Sequence, residues 1–138
     1  MKGGEEMKKK KEGVRMMEKL MKSVLDSDRA PVVICSLDNM IRYMNPSAVL
    51  KYGCDLTGKS IMDCHGGKSG ELLLKVVRWF SESRGNNMIY SYRNDEENKD
   101  VYMVALRDEN GELIGYYEKH EFRDTEKASL YDFSGSLI

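Results

Sequence analysis

The sequence predicts an α+β fold in which a five-stranded antiparallel sheet carries its helices on one face, behind an N-terminal amphipathic helix. Three observations predict it. Five short runs rich in β-branched and aromatic residues lie between residues 31 and 122, and a strongly apolar helical segment falls between the second and the third. Tight turn sequences join two pairs of these runs. Strands joined so closely run antiparallel, because a parallel connection needs a crossover of about a dozen residues or more.

Residues 1–12, MKGGEEMKKKKE, offer only methionine as an apolar side chain, too little burial to offset the entropy of ordering them, and read as a disordered basic tail. The pattern changes over residues 13–27. Val14, Met17, Leu20, Met21, Val24 and Leu25 recur at three- and four-residue steps, the signature of an amphipathic helix. Leaving such side chains in water forgoes about 1.5–3 kcal/mol each. The stripe is therefore expected to be covered by the domain, by a second copy of the chain in a homodimer, or by both.

PVVICSL (31–37) and MIRYMN (40–45) flank Asp38-Asn39 and predict a hairpin. Asn45-Pro46-Ser47 then supplies a capping side chain and a proline at the first helical position, and Gly53 ends the short helix after Tyr52. Residues 54–70 are glycine-punctuated and read as irregular. Residues 71–82 form the long helix, with Leu72, Leu73, Val76, Val77 and Phe80 on one side. MIYSYR (88–93), VYMVALR (101–107) and LIGYYEKHEF (113–122) are the last three strands, and Asp108-Glu109-Asn110-Gly111 turns between the final two. Residues 124–138 form an extension without a long period, in which Tyr131 and Phe133 either dock or hang free.

Composition removes several function classes. With 22 Lys plus Arg against 23 Asp plus Glu, the net charge is −1, so no electrostatic steering toward nucleic acid is expected. No run of 18 apolar residues is present and the lysine-rich start lacks a secretory apolar run, so no membrane association is expected and the expected address is cytoplasmic. Cys35, Cys54 and Cys64 are odd in number and lack CxxC spacing, which argues for reduced thiols and against a disulfide framework or structural zinc. Residues 53–60, GCDLTGKS, match the G-x-x-x-x-G-K-[ST] phosphate-loop pattern. Such a loop works between a buried strand and a helix, whereas here a helix precedes it and Gly66-Gly67 interrupt the stretch after it. No Ser-His-Asp order or acid/base carboxylate pair stands out.

The order of elements over residues 28–123 resembles a PAS domain, and three stretches carry the resemblance: DNMIRYMNPSA (38–48), GKS (58–60) and RDENGELIG (107–115). Cys64-His65 followed by Lys68-Ser69 looks like a bacterial subgroup of that family whose loop reads Cys-His-Pro-Pro-Lys-Ser, with Gly66-Gly67 here in place of the prolines. Tyr116 to Glu121 and Leu130 to Phe133 are similar to segments of short stand-alone PAS proteins. The resemblance implies a sensory module that binds a small molecule between sheet and helices and signals through the N-terminal helix or a dimer to a partner the sequence does not name. Alternatives left open are a haem-dependent, lyase-like small enzyme and a cofactor-free dimerisation or adaptor domain.

Haem b is the sharpest ligand the resemblance suggests, because PAS haem sensors take their iron-binding histidine from around the long helix. His65 would be the axial ligand, and Leu73, Val76, Val77 and Phe80 would line the slot. Covalent attachment is not expected, since Cys-x-x-Cys-His is missing. His120 shares an alternating face with Tyr116, Glu118 and Phe122 and reads as an edge or surface histidine. The tyrosines at 90, 92, 102, 116 and 117 read first as strand packing, with the lining of a ligand cavity by some of them, through a polar tip, as the alternative.

Overall fold

The turn at Asp38-Asn39 forms because Asn39 takes up the left-handed backbone (φ 65°) that a short amide side chain tolerates. It joins β1 (Val32–Ser36) to β2 (Ile41–Met44) as an antiparallel pair. At the other end of the chain lie β3 (Met88–Asn94), β4 (Lys99–Arg107) and β5 (Leu113–Phe122). The β4–β5 turn closes on Asp108, whose Oδ1 accepts from the Asn110 and Glu112 N–H groups, with Gly111 at φ 80°. The structure is a computed structural model and describes residues 2–64, 66–132 and 134.

The sheet runs β2-β1-β5-β4-β3 with every pairing antiparallel, so the first hairpin and the last meet at the centre. This is the α+β architecture expected. At the seam, Gly115 pairs with Ser36, and a Cβ on residue 115 would lie 2.4 Å from the Cys35 carbonyl oxygen. Only a residue without a side chain permits that approach, which explains a glycine inside a strand.

Among the described residues, four helical pieces accompany the sheet: α1 (Lys2–Asp26), α2 (Pro46–Tyr52), a 3-10 turn (Ile61–Asp63) and α3 (Gly67–Glu82). α2 begins and ends where its caps place it, between Asn45 and a left-handed Gly53 (φ 81°). α3 starts at Gly67 rather than Glu71, because Lys68 and Ser69 continue a helical turn whose Gly70 is buried. The sequence-based expectation of a disordered tail differs from the structure, in which residues 2–12 continue α1; lysine and glutamate are good helix formers even without apolar partners. None of the residues of α1 is buried, so its stripe is not folded back on its own sheet.

Val33, Cys35, Ile41, Met44, Ala48, Ile61, Phe80, Met103 and Tyr116 form the core between the inner face of the sheet and α2, the 3-10 turn and α3. Asn45 fastens its rim. Fully buried, it accepts from the Val32 and Ala48 N–H groups at 2.9 Å each and donates to the carbonyls of Leu25 (3.0 Å) and Ala30 (2.9 Å). One side chain thus caps α2, opens β1 and holds the end of α1. On the outer half, Asp100 of β4 accepts from Tyr90 of β3, Arg123 (2.7 Å) and Arg93, and these bonds, Tyr90 first, pull its carboxyl down to about 2.

Two outcomes are expected. Asn45→Ala orphans buried donors and acceptors on three segments and lowers stability by about 3 kcal/mol in urea unfolding. The Asp100 carboxylate stabilises the fold above its ordinary 3.8, and that contribution is lost as pH falls toward about 2. Thermal melts across this acid range should show a flatter slope for Asp100→Asn.

Candidate functional site

Strand alternation sends Val33 and Cys35 of β1, Met103 of β4, and Tyr116 and Glu118 of β5 to the inner face, where Leu73 of α3 and Ile61 close over them. The space they leave is a hollow of about 30 Å³, room for two or three waters at ~10–15 Å³ each. A second space lies alongside. Ser69, Leu72, Leu73 and Val76 of α3 face Ile89, Tyr90, Ser91 and Tyr92 of β3 across a groove of about 250 Å³. Leu73, Met103 and Glu118 line both spaces and form the wall between them. The rim is apolar and open: Leu72 is 60% exposed and Tyr90 57%.

The polar furnishing is sparse and paired. The Tyr116 hydroxyl donates to Asn39 Oδ1 at 2.8 Å and is hydrogen-bonded to the Cys35 thiol. Burial pushes Cys35 up to about 11, against the Tyr116 bond, and burial likewise raises Tyr116 and Tyr52. His120 Nε2 lies 2.9 Å from Glu118 Oε1, while His120 Nδ1 is buried and has no partner among the described residues. Lys99 is also buried, with Nζ 2.6 Å from Glu97. Burial opposes its charge, but the bond to Glu97 holds its pKa above the usual value, whereas Lys51 nearby is lowered by burial and by Lys99.

No protein-family model matches the chain, and no curated protein is significantly similar to it. Solved structures are similar in fold. The C-terminal domain of a Streptococcus mutans protein shares 18% identity at a TM-score of 0.59, over 74% of this chain and 81% of that one. A PAS domain from Colwellia psychrerythraea shares 14% identity at 0.55, over 77% and 96%. A sensory box sensor histidine kinase from Vibrio cholerae shares 13% at 0.52, over 80% and 92%. The chain has a PAS fold.

Within this PAS fold the expected site residues separate. His65 lies outside the described residues. Leu73 and Val76 line the groove. Val77 and Phe80 turn instead into the core, where Phe80 is fully buried. The reading of His120 as an edge or surface residue is overturned: β5 is flanked by β1 and β4, and the side chain is 2% exposed. Residues 53–60 hold no phosphate-loop geometry, because they leave α2 and dock on β2, with Gly58 N–H donating to Ile41 and Ile41 N–H donating to Lys59.

Glu118, Met103 and Ile89 are the site residues that sequence reasoning missed; the signal available was a carboxylate at an inward position between Tyr116 and His120. As they stand, the two spaces are small for haem. Small-molecule pockets span roughly 300–1,000 Å³, a tetrapyrrole belongs to the larger of them, and both spaces here are below that range. No described histidine lines either space, and no three His, Cys, Asp or Glu side chains gather as a metal site among the described residues.

The thiols should report the hollow directly. Cys54 and Cys64 are exposed and Cys35 is buried, so a disulfide reagent at mildly alkaline pH should modify two thiols per native chain and the third only on unfolding. Rapid labelling of all three in the native state would show that the hollow opens freely.

Proposed function

We propose that this chain is a PAS sensory module that takes a small, largely apolar molecule into the groove beside α3 and passes its presence to α1. The observation that carries this reading is the shared wall. Leu73 and Met103 are flexible, apolar side chains between an outer groove and an inner hollow, and a change of their rotamers would join the two into one larger site. Glu118, within the same wall, supplies a polar contact for orientation, and Tyr92 offers a ring face at the rim.

A route outward runs through the same contacts. Ile41 and Met44 of β2 line the hollow, and β2 holds α1 through the Tyr43 hydroxyl, which donates to Asp26. Asn45, next along the chain, holds the Leu25 carbonyl. A ligand that binds one packing of this wall better than another would shift the population of α1 arrangements, by as much as its differential affinity and no more. The Vibrio cholerae neighbour is a sensor histidine kinase, which is consistent with a signalling role, while the partner of this chain stays unnamed.

The small size of the hollow favours a second reading, a cofactor-free pairing domain. Titration with indole and with haemin, followed by amide NMR shifts and visible spectra, separates the readings. Indole is expected to move α3 and β3 resonances, and Met103→Trp, which fills the wall, should abolish the shifts. A Soret band that disappears in His65→Ala would make haem the ligand through a displacement of α3. No response to either compound would leave the pairing domain.

A further inference from the structure

The outer face of the sheet carries side chains for which the core does not account. An antiparallel sheet covered on one side alternates apolar with polar residues and turns the polar ones to water. Here Val33, Cys35, Met103 and Tyr116 take the inward positions, yet Val32, Ile34, Leu106 and Tyr117 stand on the opposite face of the same strands. Val32 is buried there and the other three are half-buried.

These four side chains and Leu25, near the end of α1, line a groove of about 340 Å³. That volume lies within the roughly 300–1,000 Å³ of small-molecule sites, and it exceeds both the hollow and the groove beside α3. Two charged residues border it, and both are engaged elsewhere. Lys119 Nζ lies 2.7 Å from Glu121, and Asp28 Oδ1 accepts from the Ala30 N–H. An ionic ligand would find no free counter-charge in them.

The lining includes one residue with a hydrogen bond still to make. The groove is built around the end of the sheet, where Asp28, Ala30 and Pro31 lead from α1 into β1, so it takes His120 from one face of β5 together with Tyr117 from the other. His120 Nε2 is committed to Glu118 Oε1 at 2.9 Å, whereas Nδ1 is buried and has no partner among the described residues. With the Nε2–H donating to Glu118, Nδ1 presents a lone pair and needs a donor. A buried acceptor left bare is costly, so a ligand that brings a hydroxyl gains what an apolar one of the same shape does not.

We propose that the outer-face groove is a second small-molecule site, which takes a neutral apolar compound bearing one hydroxyl, the hydroxyl donating to His120 Nδ1 and the hydrocarbon lying against Ile34, Leu106 and Tyr117. It does not depend on what fills the groove beside α3.

An NMR titration of the full chain at mildly alkaline pH, with para-ethylphenol and with its methyl ether para-ethylanisole, tests the site. The phenol is expected to move the resonances of Ile34, Leu106 and Tyr117, and the ether, which cannot donate, to bind there about tenfold more weakly. Leu106→Trp, which fills the groove, should abolish the shifts while leaving the near-ultraviolet circular dichroism of the domain intact, and His120→Phe should bring the two affinities together. Shifts confined to α3 and β3, or none at all, overturn the outer site. Equal affinities in the wild type mean that Nδ1 keeps a water, and they overturn the hydroxyl's role and with it the proposal.

Discussion

Asn45 is the joint on which this molecule turns. A carboxamide has one acceptor oxygen and one donating nitrogen, and here both are used twice or more with no access to water. The three segments it joins have little else in common: the end of a protruding helix, the entry to a central strand and the first turn of α2. Hydrophobic burial alone would hold the sheet to its helices without fixing the angle at which the chain enters. A buried amide with every partner in place fixes it, because any other arrangement strands polar groups in an apolar rim.

The site beside α3 is a product of sheet order. β5 lies between β1 and β4, so its inward side chains look into the middle of the domain. Tyr116 and Glu118 therefore stand beneath α3, while His120 and the Val101 opposite it fill the buried ground beyond. Each polar group on this face is tethered to another, Tyr116 to Asn39 and His120 to Glu118. The exception among the described residues is the second nitrogen of His120, a buried polar atom that an ordered water would satisfy.

Local chemistry is readable from the sequence and long-range arrangement is not. The bounds of α2 come from Asn45, Pro46 and Gly53, each a conformational signal that acts within a few residues. The hairpin turns come from Asn39 and Gly111 in the same way. The start of α1 is illegible because a lysine- and glutamate-rich stretch has the composition of a disordered tail and also the propensity of a helix. His120 misleads for a different reason: alternation tells which face a side chain takes, but only the pairing of β1 with β5 decides that its strand is central. The wall of Leu73, Met103 and Glu118 depends on how α3 settles on the sheet, and Leu73 is legible only as one of several apolar positions on that helix.

The contact between Gly115 and the Cys35 carbonyl reaches beyond this chain. At identities in the teens, alignment of PAS folds by residue type carries little signal, but a steric exclusion does not fade with divergence. A distant cousin that keeps the same strand offset must keep a bare α-carbon at this place, or else introduce a bulge that moves its neighbours. Position 115 thus serves as an anchor for lining up sequences whose kinship only their shapes reveal.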